Sequence, residues 1–237
     1  MNARFGPAGN SDSFSAKYKS TLSAPKYLKE IGLDHYEYQC GRGVRVSDKL
    51  ASELRREAEK HSITLSVHAP YFISLSGIEK EKRDKSIDYI LQTCDVAKRL
   101  GAERIVIHSG SCAKISREEA LELAKDTLLR AREAAVEQGY EHIVFCPETM
   151  GKVNQLGDLN EVLELCNTHG VFEIQNGVSS EFNGVMNNVT QATMVTGGNS
   201  ETWTQCCEEY GTVVDFIIGE TNDKMKDVME TGEFDES

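Results

Sequence analysis

The sequence predicts an α/β fold, a partial (β/α) TIM-type barrel of about five βα units followed by an unrelated acidic C-terminal segment. Three observations carry this prediction. Short apolar runs alternate with amphipathic helical stretches through the first two-thirds of the chain, which specifies a parallel sheet with right-handed crossovers. The 237 residues suit one sizeable core, close to the size of an eight-unit barrel. Past residue 167 the alternation fades and the charge changes: residues 1–167 hold 24 Lys and Arg against 25 Asp and Glu, whereas residues 168–237 hold only Lys224 and Lys226 against 13 acids. The expected division is therefore a barrel portion over 1–167 and an acidic segment over 168–237.

Each element has a local signal. ARFGPAG reads as a first strand, APKYLKEIG as a helix stopped by Gly32, and DHYEYQ as a second strand ending at the turn CGRG. SDKLASELRREAEKHS is a helix capped by Ser47 with Leu50 and Leu54 on its apolar side, and ITLSVHA is the third strand. EKEKRDKSIDYILQTCDVAKRLG is a long amphipathic helix closed by Gly101, ahead of the strand ERIVIHSG. SREEALELAKDTLLRAREAAVEQG opens with Ser116 and Glu119 at capping-box spacing and leads to the fifth strand, HIVFCPE; the shorter helix DLNEVLELC closes the regular part. Beyond it VFEIQNGV is a candidate sixth strand, ETWTQCCEEYGTVVDFIIGETNDKMKDVME carries mixed signals, and TGEFDES is an acidic end. Five strands leave an open sheet edge, so the segment after residue 167, or self-association with a second copy, is expected to cover it.

Composition narrows the function. A formal net charge of -12 argues against a generic polyanion binder but leaves room for a local basic rim. Seven cysteines without a CxxC pair, and no secretory apolar stretch at the N-terminus, read as reduced thiols in a cytoplasmic protein. No apolar run approaches the roughly 20 residues that a membrane span needs.

Three residues stand apart because each follows an apolar strand-like run: His68 after ITLSV, His108 after ERIVI and Glu148 after EHIVFCP. Strand ends are where an α/β barrel gathers its active-site groups, and two imidazoles plus a carboxylate are a recognised zinc ligand set. The plainer alternatives are hydrogen-bonded core histidines and, for Glu148, a helix-capping or ion-pair role. His35, His61, His142 and His169 are read in that plainer way, and Cys206–Cys207 as two small apolar residues.

The flanking residues add a resemblance. SVHAPYFISLSG, IVIHSGS and PETMGKVNQLGDLNEVLELC, with FGPAGN and YQCGRG, resemble the endonuclease IV family of apurinic/apyrimidinic DNA endonucleases over about residues 1–166. That resemblance implies a xylose isomerase-like barrel that cleaves the phosphodiester 5′ of an abasic site with a trinuclear zinc cluster. It implies that His68, His108 and Glu148 hold one zinc, with Glu148 also the catalytic carboxylate that bridges to a second. It matches Tyr71 to a residue that enters abasic DNA. Arg42, in the CGRG turn, falls where the family presents a DNA-contacting loop, with an ordinary turn arginine as the alternative. DNA with abasic sites is thus the implied partner and base excision repair the implied setting. The family's later ligands, an Asp-x-x-His motif, a further His, an Asp-x-His motif and a final Glu, have no counterpart here. No histidine follows His169, and Asp215 and Glu220 are carboxylates without histidine partners. The expectation is one zinc site and impaired hydrolysis. Two other functions stay open: a sugar isomerase or epimerase with one divalent metal, and a non-catalytic half-barrel binding domain.

Overall fold

The structure, a computed structural model, describes residues 4–150 and 152–167, together with the strand backbones of residues 174–177 and 193–196. One six-stranded sheet runs in chain order: β1 (His35–Gln39), β2 (Thr64–His68), β3 (Arg104–His108), β4 (Val144–Glu148), β5 (Ile174–Gly177) and β6 (Thr193–Thr196). Strands β1 to β5 are parallel to their neighbours and β6 is antiparallel to β5. Helices α3 (Asp48–His61), α4 (Lys80–Leu100) and α5 (Arg117–Glu137) connect β1 through β4, and α6 (Leu159–Asn167) follows β4. This is the partial βα barrel that the alternation predicts, and the chain after residue 167 supplies backbone partners to β4.

The helix boundaries follow local chemistry. Ser47 and Ser116 accept hydrogen bonds from the amides of Leu50 and Glu119, capping α3 and α5 as predicted. Gly101 ends α4 in the left-handed region at φ +72. Ser62 closes α3 in the same region without being glycine.

The first strand differs from expectation. Residues 5–9 run beside β1 through Gly9 N to Glu37 O and Glu37 N to Pro7 O, both in a parallel sense, with one bridge, Ala8 to Glu37. Pro7 has no N–H to give, which limits the ladder. Gly6 is required there by space, because a Cβ on it would lie 1.7 Å from the carbonyl oxygen of His35. Gly6→Ala should therefore destabilise the chain by about 3 kcal/mol, the upper end of an overpacking cost. Urea unfolding checks this; an unchanged midpoint would show that the segment does not pack on β1.

Two helical pieces went unpredicted: α1 (Asp12–Lys17) and a 3-10 turn, Thr21–Ser23, ahead of α2 (Ala24–Glu30). β6 also lies in a segment with no strand prediction. Asp215, Glu220, His169 and the Cys206–Cys207 pair lie outside the described residues. Among the described cysteines, Cys40, Cys94 and Cys112 are free thiols. Among the described residues no helix is long and apolar enough to cross a membrane.

The register sorts the strand residues into two faces. Tyr36, Leu65, Val67, Ile105, Ile107 and Phe145 share the face that packs under the helices, joined there by Leu54, Ile90, Leu128 and Ala131 in one core. The opposite face carries His35, Glu37, Gln39, Ser66, His68, His108 and Glu148. Alternation along each strand thus places apolar groups outward and polar groups toward the barrel interior.

Candidate metal centre

The polar face begins with a closed network. His35 is buried with Nδ1 2.8 Å from Thr64 Oγ1 and Nε2 2.8 Å from Ser66 Oγ. Burial, then the positive charges of Arg104 and Arg4, push its pKa down to about 4, so it is neutral at pH 7. Ser66 Oγ donates to Glu37 Oε2 at 3.4 Å, and Gln39 Nε2 donates to Glu37 Oε1 at 3.1 Å. His35 is therefore a satisfied core histidine, as the sequence reading has it.

One step further along the strands, His68, His108 and Glu148 meet at the C-terminal ends of β2, β3 and β4. In the β3–β4 register His108 is level with Glu148, and His68 is level with Val106, two residues before His108 on the same face. Glu148 Oε2 lies 3.3 Å from His68 Nε2 and 2.9 Å from His108 Nε2. The two imidazoles stand edge to face with centroids 5.0 Å apart. One ligand atom from each residue can be chosen so that all lie within 4.8 Å of one another.

The second nitrogen of His68 fixes its role. Nδ1 lies 2.7 Å from the Ala69 carbonyl, which can only accept, so Nδ1 carries a proton and Nε2 is the atom left for Glu148 or a cation. Burial by itself would lower the His68 pKa, but the Glu148 hydrogen bond and the charges of Glu37 and Glu148 outweigh it and raise it to about 9. Burial likewise works against ionising Glu148, and the hydrogen bonds and charges of His108 and His68 overcome it, holding its pKa at about 2. Without a metal, the centre is thus a buried imidazolium–carboxylate contact.

The donor set fits a divalent cation. Ligands 2.0–2.2 Å from one zinc are separated by at most about 4.4 Å, so a small closing movement from the 4.8 Å spread would suffice. A backbone carbonyl on the second ring nitrogen, as Ala69 supplies to His68 Nδ1, is the kind of outer partner that orients imidazoles in metal sites. These three residues form the one such group among the described residues.

The remaining predicted site residues lie on the loops that follow the strands. Arg42 is exposed in the turn after β1, and Tyr71 is 63% exposed after β2, edge to face with Phe72 at 5.6 Å. Sequence reasoning missed three further exposed cations on these loops: Arg45, Lys114 and Lys152. Over residues 40–47, 69–79, 109–116 and 149–158 they join Arg42 against two acids, Glu79 and Asp158. Glu79 pairs with Lys82 at 3.0 Å, and Asp158 Oδ1 caps the Glu161 amide. The strand-end loops carry a basic balance in a chain whose total is strongly negative.

Residues 25–172 match the model of the xylose isomerase-like TIM barrel family. The chain belongs to that family. An uncharacterized protein of Methanocaldococcus jannaschii is 32% identical over 162 residues, covering 68% of this chain and 56% of the relative. A "probable endonuclease 4" of Mycoplasma pneumoniae is 31% identical over 114 residues, 46% of this chain and 38% of that protein. The likeness to endonuclease IV drawn from the motifs is thus borne out. Among solved structures, endonuclease IV from Thermus thermophilus superposes with a TM-score of 0.51 at 22% identity, covering 65% of this chain and 56% of the other. D-Psicose 3-epimerase from Clostridium cellulolyticum gives a TM-score of 0.56 at 16% identity, with 66% and 57% covered. At such identities the structural matches show the fold alone. The chain spans about half the length of the curated relatives it matches.

Proposed function

We propose that this chain is an endonuclease IV-like, zinc-dependent phosphodiester hydrolase acting on abasic sites in DNA, with activity impaired because the later metal ligands are missing from these 237 residues. His68, His108 and Glu148 would hold the single zinc, and Glu148 is the catalytic carboxylate. Bound there, the ion supplies Lewis-acid charge relief at a phosphoryl oxygen. The chain's own residues do the rest: Glu148 orients the attacking water beside the ion, Tyr71 fills the gap at the missing base, and Arg42 contacts the backbone phosphate.

The observation that carries the reading is the setting of the trio. It opens among loops with four exposed cations and an exposed aromatic pair, which suits a polyanion with unstacked bases. A small neutral sugar has no use for the basic rim. The epimerase reading keeps only the fold likeness, since the ligands here end β2, β3 and β4. The barrel portion over 1–167 would carry the site, with residues 168–237 an acidic segment whose strands β5 and β6 continue the same sheet.

Elemental analysis and a nicking assay test this. The full chain purified with zinc should carry no more than one tightly bound ion, bind an abasic-site duplex in preference to an intact one, and incise it weakly or undetectably. Three zinc ions per chain, or robust incision, would show that the later ligands are supplied after all. Epimerisation of a ketose without any preference for abasic DNA would overturn the reading.

A further inference from the structure

The loops that follow His108 and Glu148 are sewn together. The Leu156 amide donates to the Gly110 carbonyl at 3.0 Å, the Cys112 amide to the Asn154 carbonyl at 3.0 Å, and Ser111 Oγ to the same carbonyl at 3.1 Å. The first residue of α5 reaches into this seam. Arg117 donates through Nη1 to the Val153 carbonyl at 2.8 Å and through Nη2 to the Gln155 carbonyl at 3.1 Å. It also forms a two-pronged ion pair with Glu161, 2.7 Å on both oxygens.

Glu161 passes the constraint on. Only 7% exposed, it uses Oε2 to accept the amides of Gly157 at 2.8 Å and Asp158 at 3.0 Å. Gly157 sits at φ +131, and a Cβ there would lie 2.9 Å from the backbone carbonyl oxygen of Glu148. Its own carbonyl accepts the Met150 amide at 2.7 Å. A chain of short contacts therefore runs from Arg117 through Glu161 and Gly157 to the backbone of Glu148, while Cys112 and Gly110 tie the same loop to the strand end that carries His108. A buried Glu161 carboxylate without its guanidinium would be strongly disfavoured, so removing Arg117 should release Gly157 as well.

We propose that Arg117 is a positioning residue of the metal centre: through Glu161 and Gly157 it holds the loop after Glu148 against the loop after His108, and so fixes the relative placement of those two ligands. This rests on the metal reading for one arm of its test only. The full chain is compared with Arg117→Met, Arg117→Lys, Glu161→Gln and a control, Arg130→Met. Arg130 lies on the same helix and pairs with Asp84 and Asp126, away from the loops.

The first arm needs no metal: imidazole ¹⁵N shifts of His68 and His108 at fixed pH. Arg117→Met and Glu161→Gln should move the His108 signals, Arg117→Lys should move them less, and Arg130→Met should leave them in place. The second arm is Co²⁺ titration. The same two variants should bind Co²⁺ about tenfold more weakly, the size of effect typical of an outer partner, with an altered visible spectrum. If Arg117→Met lowers the melting temperature like Arg130→Met yet changes neither shifts nor Co²⁺ affinity, Arg117 is an ordinary brace and the proposal is wrong. Should Arg117→Met not fold, Glu161→Gln, which preserves size and shape, decides by the same criteria. A wild-type chain that takes up no Co²⁺ sinks the functional reading, and the imidazole shifts then decide the role of Arg117 alone.

Discussion

Glu148→Ala should abolish divalent-metal binding, weakening it by more than about 100-fold, because it removes a direct ligand where loss of an outer partner alone costs about 10–100-fold. Whatever incision of abasic DNA the chain shows should go with it. The substitution should also reshape stability in the metal-free protein. The His68 pKa is raised to about 9 because Glu148 is there; without it, burial would drive His68 to shed its proton. A rise from 6.5 to about 9 corresponds to about 3 kcal/mol of favourable interaction.

The sign of this contribution is fixed by the direction of each shift. His68, with its folded pKa raised, stabilises fully below about 6.5 and loses that stabilisation as pH rises toward 9. Glu148, with its folded pKa lowered, stabilises above its ordinary value of 4.5 and loses it as pH falls toward 2. Both shifts describe one contact, so the energy is counted once. Wild type without metal should lose about 3 kcal/mol between pH 6.5 and 9 from this contact, and Glu148→Ala should lack that loss. Urea unfolding at pH 6 and pH 9 measures it. A variant that keeps one zinc per chain at wild-type affinity would sink the ligand assignment.

How much of this was legible in the sequence depends on the range of the interaction. Ser47, Ser116 and Gly101 act within their own helix turns, so the boundaries of α3, α4 and α5 could be read from neighbours in the chain. His68, His108 and Glu148 were legible because each ends an apolar run, and parallel strands necessarily bring such ends to one side. α1 was missed because six residues bury only Phe14 and show no period. The segment 5–9 was over-read because its apolar look hides Pro7. Arg117 was invisible for another reason: its partner Glu161 is 44 positions away, and nothing in the local pattern of a charged helix start distinguishes it from a solvated arginine. Contacts that depend on two loops meeting are properties of the fold, and only their ends are written locally.

Metal affinity should depend steeply on pH. In the metal-free centre His68 keeps a proton on Nε2 up to about pH 9, and a cation must displace it to reach that nitrogen. Each unit of pH below 9 should therefore weaken the apparent affinity by about tenfold, since one proton leaves for each ion bound. An exposed histidine of ordinary pKa near 6.5 would give a flat profile above about pH 7.5. Co²⁺ titrations in a chelator buffer at pH 6.5, 7.5 and 8.5 separate the two, with about a hundredfold change across that range expected here. Proton release measured in parallel should be close to one per ion. A profile already flat at pH 7.5 would mean that Glu148 does not hold His68 charged, and that the centre binds metal with its imidazoles free beforehand.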